Sequence, residues 1–212
     1  MTQSRITLDV FSDYVCPFCY LEMPELEALA ERFDGRVTLR WRAFELRPDP
    51  EPTLDPDSDY LHDVWGRAVY PMAAERGMTL RLPRIQPRSG LAHEAAAWAE
   101  TQAIQHPGAG DAMRTALFRG FFEESLDLSD PQALAELADA LSLDGSALHR
   151  SLENGNHRQA VIDDQRVARD LGIQGVPALR FCIDGEHAGM LEGAQPRRQL
   201  YLAVERLLDA LG

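Results

Sequence analysis

The sequence predicts an α/β fold with the order βαβ then ββα, interrupted by a large all-helical insertion. Three observations carry this. Two stretches that alternate apolar and polar residues, Ile6 to Phe11 and Val37 to Phe44, flank a single helical stretch. From about Tyr60 to Leu171 the apolar residues recur at helical spacing. After Gly172 the chain returns to short strand patterns and one last helix.

Ile6 to Phe11 reads as a buried strand that turns at Ser12-Asp13. A helix is expected to start at Cys16 or Pro17, because proline suits the first helical turn, where its missing N–H costs nothing. Leu21, Leu26, Leu29 and Ala30 give that helix an apolar face, and Asp34-Gly35 closes it. Pro24 lies inside and is expected to kink it, by removing one backbone hydrogen bond. Val37 to Phe44 follows as a strand, so the first unit is a βαβ crossover, parallel and right-handed.

Arg47 to Asp59 is rich in proline and aspartate and reads as a loop. In the helical stretch, Leu91, Ala95 and Trp98 share one face, as do Met113, Leu117 and Phe121. Arg81 to Ser89, with Pro83 and Pro87, links helices. Asp130-Pro131 is a capped start before Leu134, Leu137, Ala138 and Leu141. Leu148 and Leu152, then Ala160, Val167, Ala168 and Leu171, mark two further helices, the second stopping at Gly172. Val176-Pro177 leads into a strand over Ala178 to Ile183; Asp184-Gly185 turns the chain, and His187 to Leu191 pairs back. Gly193 to Pro196 opens the last helix, with Leu200, Val204, Leu207, Leu208 and Leu211. Segments 1–50 and 172–212 are assigned to one α/β domain, and 51–171 to an inserted helical domain.

Composition narrows the function. The chain has 212 residues, 45% hydrophobic and 26% charged, with a formal net charge of −13. A chain this acidic lacks the basic face that displaces counterions from phosphates, so nucleic acid and anionic membrane are not expected partners. Every basic residue is arginine, which excludes a Schiff-base lysine and a Walker A lysine. Met1 to Arg5 runs directly into the first strand with no apolar leader, and no stretch approaches the ~18 apolar residues of a membrane span; a cytoplasmic location is expected. Three cysteines do not make a disulfide scaffold.

The chemistry lies in Cys16-Pro17-Phe18-Cys19, directly after the first strand and opening the first helix. Unpaired N–H groups at a helix N-terminus favour a thiolate there, so Cys16 is the expected nucleophile. Cys19, one turn in, is the expected resolving thiol that breaks the mixed disulfide. The competing reading is half of a zinc site, but that needs four ligands, and neither Cys182 nor the histidines supply the second pair. Val176-Pro177, read by itself, is an ordinary proline at a strand entrance; if cis, it lays backbone beside Cys16 to receive an extended substrate.

Together these stretches resemble the thioredoxin superfamily, in particular its DsbA-like branch. Cys16-Pro17-Phe18-Cys19 is similar to its redox motif, Pro24 to its helix-kinking proline, Val176-Pro177 to its cis-proline element, and the helical stretch to the insertion of DsbA. The cytosolic FrnE-like group is similar over Phe11 to Tyr20, Phe44 to Pro48, Gly172 to Pro177 and Gly193 to Pro196. The resemblance implies a thioredoxin fold and a protein-disulfide oxidoreductase acting on protein or small-molecule thiols. It implies no bound cofactor, with glutathione or a thioredoxin-like partner as electron donor, and it leaves the oligomeric state open. Phe18 stands where DsbA has histidine, so a less oxidising disulfide than that of DsbA is expected.

Other residues keep two readings. Asp13 is a solvated turn residue or a carboxylate acting on the thiols; Glu45 is an exposed strand-end residue or a shuttle for the Cys19 proton. His93, in Ser89-Gly90-Leu91-Ala92-His93, is read as capping or packing, and Cys182 as a buried core thiol. Trp65, Tyr70 and Trp98 are expected to build the helical core or line a groove near the thiols, and Phe122 to Ser125 to form a solvated helix end. Two functional alternatives stay open. One is a glutathione-dependent isomerase or transferase of the 2-hydroxychromene-2-carboxylate isomerase or kappa-type group, in which serine usually replaces the first cysteine. The other is a non-enzymatic redox sensor.

Overall fold

The computed structural model describes residues 6–211; Met1 to Arg5 and Gly212, the outer ends of the two predicted α/β segments, lie outside the described residues. Four strands, β1 (Ile6–Ser12), β2 (Val37–Ala43), β3 (Ala178–Ile183) and β4 (Glu186–Glu192), form one sheet in the order β2-β1-β3-β4. The β1–β2 pair is parallel, joined through helix α1 (Pro17–Arg32), whereas β1–β3 and β3–β4 are antiparallel. The β3–β4 turn is tight because Asp184 and Gly185 both take positive φ, at 51° and 88°, which matches the twist of the flanking strands.

Register sorts side chains onto two faces. Val10 lies opposite Trp41 and Leu179, while Asp9 lies opposite Arg40 and Arg180. Ile6, Leu8, Val10, Leu179 and Phe181 therefore point together and are buried under Leu26, Leu29 and Phe33 of the α1 segment and under Leu200 and Val204 of the last helix, α9 (Arg197–Ala210). Each such side chain contributes roughly 1.5–3 kcal/mol on burial. On the other face, Phe11 and Ala178 pack with Ala168 and Ile173 at the end of α8 (Arg158–Asp170).

Between β2 and β3 lies the helical stretch. Helix α2 (Asp59–Val64) passes through a π-helical turn, Trp65–Val69, into α3 (Tyr70–Glu75). Then come α4 (Gly90–Thr101), α5 (Ala109–Glu124), α6 (Pro131–Ala140), α7 (Gly145–Glu153) and α8. Asp130 and Asp144 cap α6 and α7 by accepting from the backbone N–H groups of Gln132 and Ala147. The α7 start crowds α6 so closely that a Cβ at Gly145 would stand 2.3 Å from the Ala135 carbonyl oxygen. Among the described residues no helix is long and apolar enough to cross a membrane.

The helical core, with Trp65, Trp98, Met113, Phe118, Phe121, Phe122 and Leu148, is continuous with Cys16, Cys19, Tyr20 and Leu21 at the head of α1. Tyr20 stacks on Phe118 and Phe122, and its hydroxyl donates to Glu123 at 2.7 Å. A second seam is polar. Arg76, just after α3, donates to the Leu21 carbonyl, to Glu22 at 3.1 Å and to the Gln195 carbonyl at 2.9 Å, and the Gln195 N–H donates to Glu22 at 2.9 Å. Burial pushes the Glu22 carboxyl up to about 7.

Several expectations are corrected. β2 ends at Ala43, so Phe44 and Glu45 lie beyond it. Ala160 is exposed, and Val161 with Ala168 forms the buried face of α8. Phe122 is 1% exposed and Glu123 is bonded to Tyr20, so this run is no solvated end. Trp65 and Trp98 are core residues, but Tyr70 is 45% exposed and only leans edge-on against Trp65. Pro24 lies inside α1, as expected.

Candidate active site

The short link from β1 to α1 makes Cys16 the N-cap residue and places Pro17 at the first helical position. The Cys16 N–H donates to the Asp13 carbonyl at 3.1 Å, and its own carbonyl accepts from Cys19 and Tyr20 at 3.1 and 3.3 Å. Both thiols are free and nearly buried, Cys16 at 4% exposure and Cys19 at 1%. Phe18 is half-buried against the helical core. The Cys16 thiol donates to the Val176 carbonyl at 3.4 Å, across 160 residues of sequence, and the Val176–Pro177 peptide is cis, as is Asp49–Pro50. Hydrogen bonding of Gly193 N–H to the Pro177 carbonyl, at 2.8 Å, anchors this loop to the end of β4.

Burial raises the Cys19 thiol well above the ordinary thiol value, and the neighbouring Cys16 raises it further. The Asp13 backbone and the Ser12 hydroxyl act in the opposite direction, because they donate hydrogen bonds to a Cys19 thiolate. Asp13 is fully buried, which rules out the solvated-turn reading. Its carboxylate accepts from the N–H groups of Leu46 at 2.7 Å and Val15 at 3.4 Å, so it ties the start of the redox loop to the segment after β2. His93 Nε2 stands 3.5 Å from Asp13 Oδ1, and the His93 ring contacts Tyr14 at 4.9 Å. His93 is therefore a packed residue beside the loop; the cap position of α4 belongs to Ser89.

Glu45 is half-buried and accepts from Gln165 at 2.7 Å. Burial raises its carboxyl, His93 opposes that and Asp13 adds to it. Its Oε2 lies 3.2 Å from where a Cβ on Gly90 would be, so glycine at the α4 start lets this carboxylate approach. Structure thus brings Cys16, Cys19, Pro17, Phe18, Val176, Pro177 and Asp13 to one end of β1, with Glu45 and His93 on its flank.

Cys182 is elsewhere. It is 1% exposed and opposite Thr7, five residues before the end of β1. At ~3.3 Å per residue that is ~17 Å along the strand, too far for a bond with either active-site thiol. Among the described residues no group of three or more histidine, cysteine, aspartate or glutamate side chains is placed to hold a metal ion. Sequence reasoning did not single out Ser12, and it read His93 as capping or packing; a hydroxyl at the end of β1 and a histidine on α4 carry no local signal that they line one cleft.

Comparison with known proteins places the chain in a family. A family model described as a DSBA-like thioredoxin domain matches residues 7–205. The uncharacterized protein YwbO of Bacillus subtilis is 32% identical over 156 residues, covering 72% of this chain and 74% of YwbO. A structure described as a probable DsbA oxidoreductase of Streptomyces coelicolor is 25% identical with a TM-score of 0.72, covering 95% of this chain and 89% of that one. Cytosolic disulfide reductase DsbM of Pseudomonas aeruginosa, solved alone and with GSH, shares the fold: alone, it is 22% identical at a TM-score of 0.71, with 95% and 98% of the chains covered. So does a 2-hydroxychromene-2-carboxylate isomerase, 20% identical at a TM-score of 0.74, with 95% and 96% covered. The chain belongs to the DsbA-like thioredoxin-domain family, and the expected closeness to the FrnE-like group is compatible with these matches.

Proposed function

We propose that this member of the DsbA-like family is a thiol–disulfide oxidoreductase that uses Cys16 and Cys19 as its dithiol. One observation supports the reading above the others: the Cys16 thiol sits at a helix N-terminus against the Val176 carbonyl, with Cys19 one turn further in. Cys16, as thiolate, attacks one sulfur of a substrate disulfide; the substrate S–S bond breaks and a Cys16–substrate bond forms. Cys19, after losing its proton, attacks Cys16 and closes the Cys16–Cys19 disulfide, and the substrate leaves as a dithiol carrying two electrons and two protons. The Val176-Pro177 backbone lies beside the reacting sulfur, where an extended substrate main chain would pair. Segment 51–171 is read as an inserted helical domain that walls the thiols.

Glutathione or a thioredoxin-like protein dithiol is the proposed electron donor, in keeping with the related fold of DsbM solved with GSH. The cytosolic setting of DsbM favours a cytoplasmic location. Phe18 offers no charge to a thiolate, which favours a less oxidising couple than that of DsbA. The glutathione-dependent isomerase alternative shares the fold alone, and Cys19 has no role in it.

The test is equilibration against reduced and oxidised glutathione, with the Cys16–Cys19 disulfide quantified by mass after acid quench. A reversible two-electron couple is expected. A potential below about −250 mV marks a reductase, and one above about −200 mV an oxidant or isomerase. Absence of the disulfide across the whole range overturns the reading and returns the isomerase alternative.

A further inference from the structure

Cys19 poses a chemical problem. Its proton must leave before it can attack Cys16, yet it is 1% exposed, and burial holds the proton on. On the thiol side, Cys16 and the Val176 loop close over it. The way out lies behind. A cleft of about 90 Å³ opens between β2, α4, α5 and α8, and its lining includes Ser12, whose hydroxyl favours the Cys19 thiolate.

The cleft is lined by apolar surface with polar groups set into it. Its floor holds Tyr14, Trp41, His93 and Arg114, and its mouth Glu100, Ala160 and Asp164. Two of its side chains are more than nine-tenths buried yet leave a polar atom without a protein partner: His93 Nε2, at 6% exposure, and Arg114 Nε, at 3%. Arg114 is otherwise satisfied, bonded to Glu100 at 2.7 Å and to Asp111 and stacked over Trp41. A buried polar atom without a partner is costly, and a cavity needs only ~10–15 Å³ to hold one water, so this space accommodates a short chain of them.

We infer that His93 is the proton acceptor for the resolving step, reached from Cys19 through the Ser12 hydroxyl and water in the rear cleft. This rests on the dithiol reading above. The Cys19 proton passes to Ser12 Oγ as the Ser12 proton moves to cleft water and on to His93 Nε2. The Cys19 electron pair forms the Cys16–Cys19 bond, the Cys16–substrate bond breaks, and the leaving thiolate takes a proton from solvent. Ser12 and the Asp13 N–H hold the transient Cys19 thiolate, and the Asp13 carboxylate, 3.5 Å from His93 Nε2, stabilises the imidazolium. The proton then leaves along the cleft past Asp164 and Glu100. The groups around His93 are Asp13 and Glu45 on one side, Tyr14 against its ring, and Arg42, Arg114, Glu100 and Asp164 across the cleft.

The two steps separate the outcomes. With Cys19→Ser protein, the rate at which oxidised glutathione forms the Cys16 mixed disulfide reads the first step. With both thiols present, rapid quench and mass analysis read the conversion of the mixed disulfide to Cys16–Cys19. His93→Gln is expected to slow the second step at least tenfold, leave the first within twofold, and remove a rising limb from the pH profile of the second. His93→Ala is expected to regain rate with added imidazole, a response that a packing role does not give. Equal second-step rates and pH profiles in wild type and His93→Gln, with both folded by circular dichroism, overturn the relay. So does a loss shared by both steps without imidazole rescue. Failure of wild type to form Cys16–Cys19 at all overturns the dithiol reading instead.

Discussion

Near the start of β1, the thiol of Cys182 is buried beside the carboxylate of Asp9; at its far end, the thiols of Cys16 and Cys19 are buried beside Asp13. The two regions use the same residue types at opposite ends of one strand. Asp9 is neutralised by side chains: Arg40 bonds it twice, and Arg42 and Arg180 stand 3.6 and 3.5 Å away. Asp13 is neutralised by backbone N–H groups of Leu46 and Val15, with the His93 imidazole 3.5 Å away. Guanidiniums lock a carboxylate into a rigid cluster and do not exchange protons near neutral pH. An imidazole does. The Cys182 region is thus a cross-strand clasp, and the Asp13 region is the one that can serve thiol chemistry.

The strongest way to break this contrast is to remove each thiol. Cys16→Ser is expected to lower kcat/KM for disulfide exchange by ~10³-fold or more, whereas Cys182→Ala leaves it within about twofold. Turnover with a protein disulfide and glutathione reads both, and a large loss in Cys182→Ala would erase the distinction.

The carboxylates come next. Asp9→Asn leaves three arginines without their buried partner, and a loss of about 2–3 kcal/mol is expected in urea unfolding, the half-exposed Arg40 holding it to the low end. Exchange per folded molecule should be unchanged. Asp13→Asn keeps one acceptor oxygen, for the shorter bond from Leu46 at 2.7 Å, but turns an amide NH2 toward the Val15 N–H; it should cost less, about 1–2 kcal/mol, while slowing the resolving step. If both substitutions affect only stability, Asp13 is a clasp like Asp9.

A third buried carboxylate extends the series to pH. Glu22 is raised from 4.5 to about 7, so the folded state holds its proton more tightly than the unfolded state. Stability from this group is therefore full below pH ~4.5 and falls as pH rises towards 7, by roughly 2–3 kcal/mol. Glu22→Gln should flatten that slope in urea titrations from pH 5 to 8; an unchanged slope would place it on another group, such as Glu45. The smallest effect is expected at the surface: Ile104, 95% exposed, should tolerate Ile104→Ser within about 0.5 kcal/mol.

Much of this molecule is legible in the chain, and the reasons are local. Alternation over Ile6 to Phe11 and Val37 to Phe44, the turn at Asp184-Gly185 and the caps at Asp130 and Asp144 depend on residues a few positions apart. The same holds for a helix that opens on Cys16-Pro17. Errors cluster where distant segments meet. Phe122 and Glu123 look like a solvated helix end until Tyr20 stacks and bonds there. Asp13 looks like a turn residue until Leu46 closes over it. Ala160 and Val161 differ by one position, and only the packing of α8 on the sheet decides which is inside.

By itself, the sequence determined the order of elements and the placing of the cysteine pair, because a strand, a loop and a helix N-terminus in succession position Cys16 and Cys19 without help from the rest of the chain. Tertiary structure decided what surrounds them. Val176 reaches Cys16 across 160 residues, Ser12 and His93 meet at one cleft, and Cys182 is held at the other end of the strand. Those relations follow from strand register and helix packing, which depend on shape and burial summed over the whole chain and so leave no pattern in any short stretch of it.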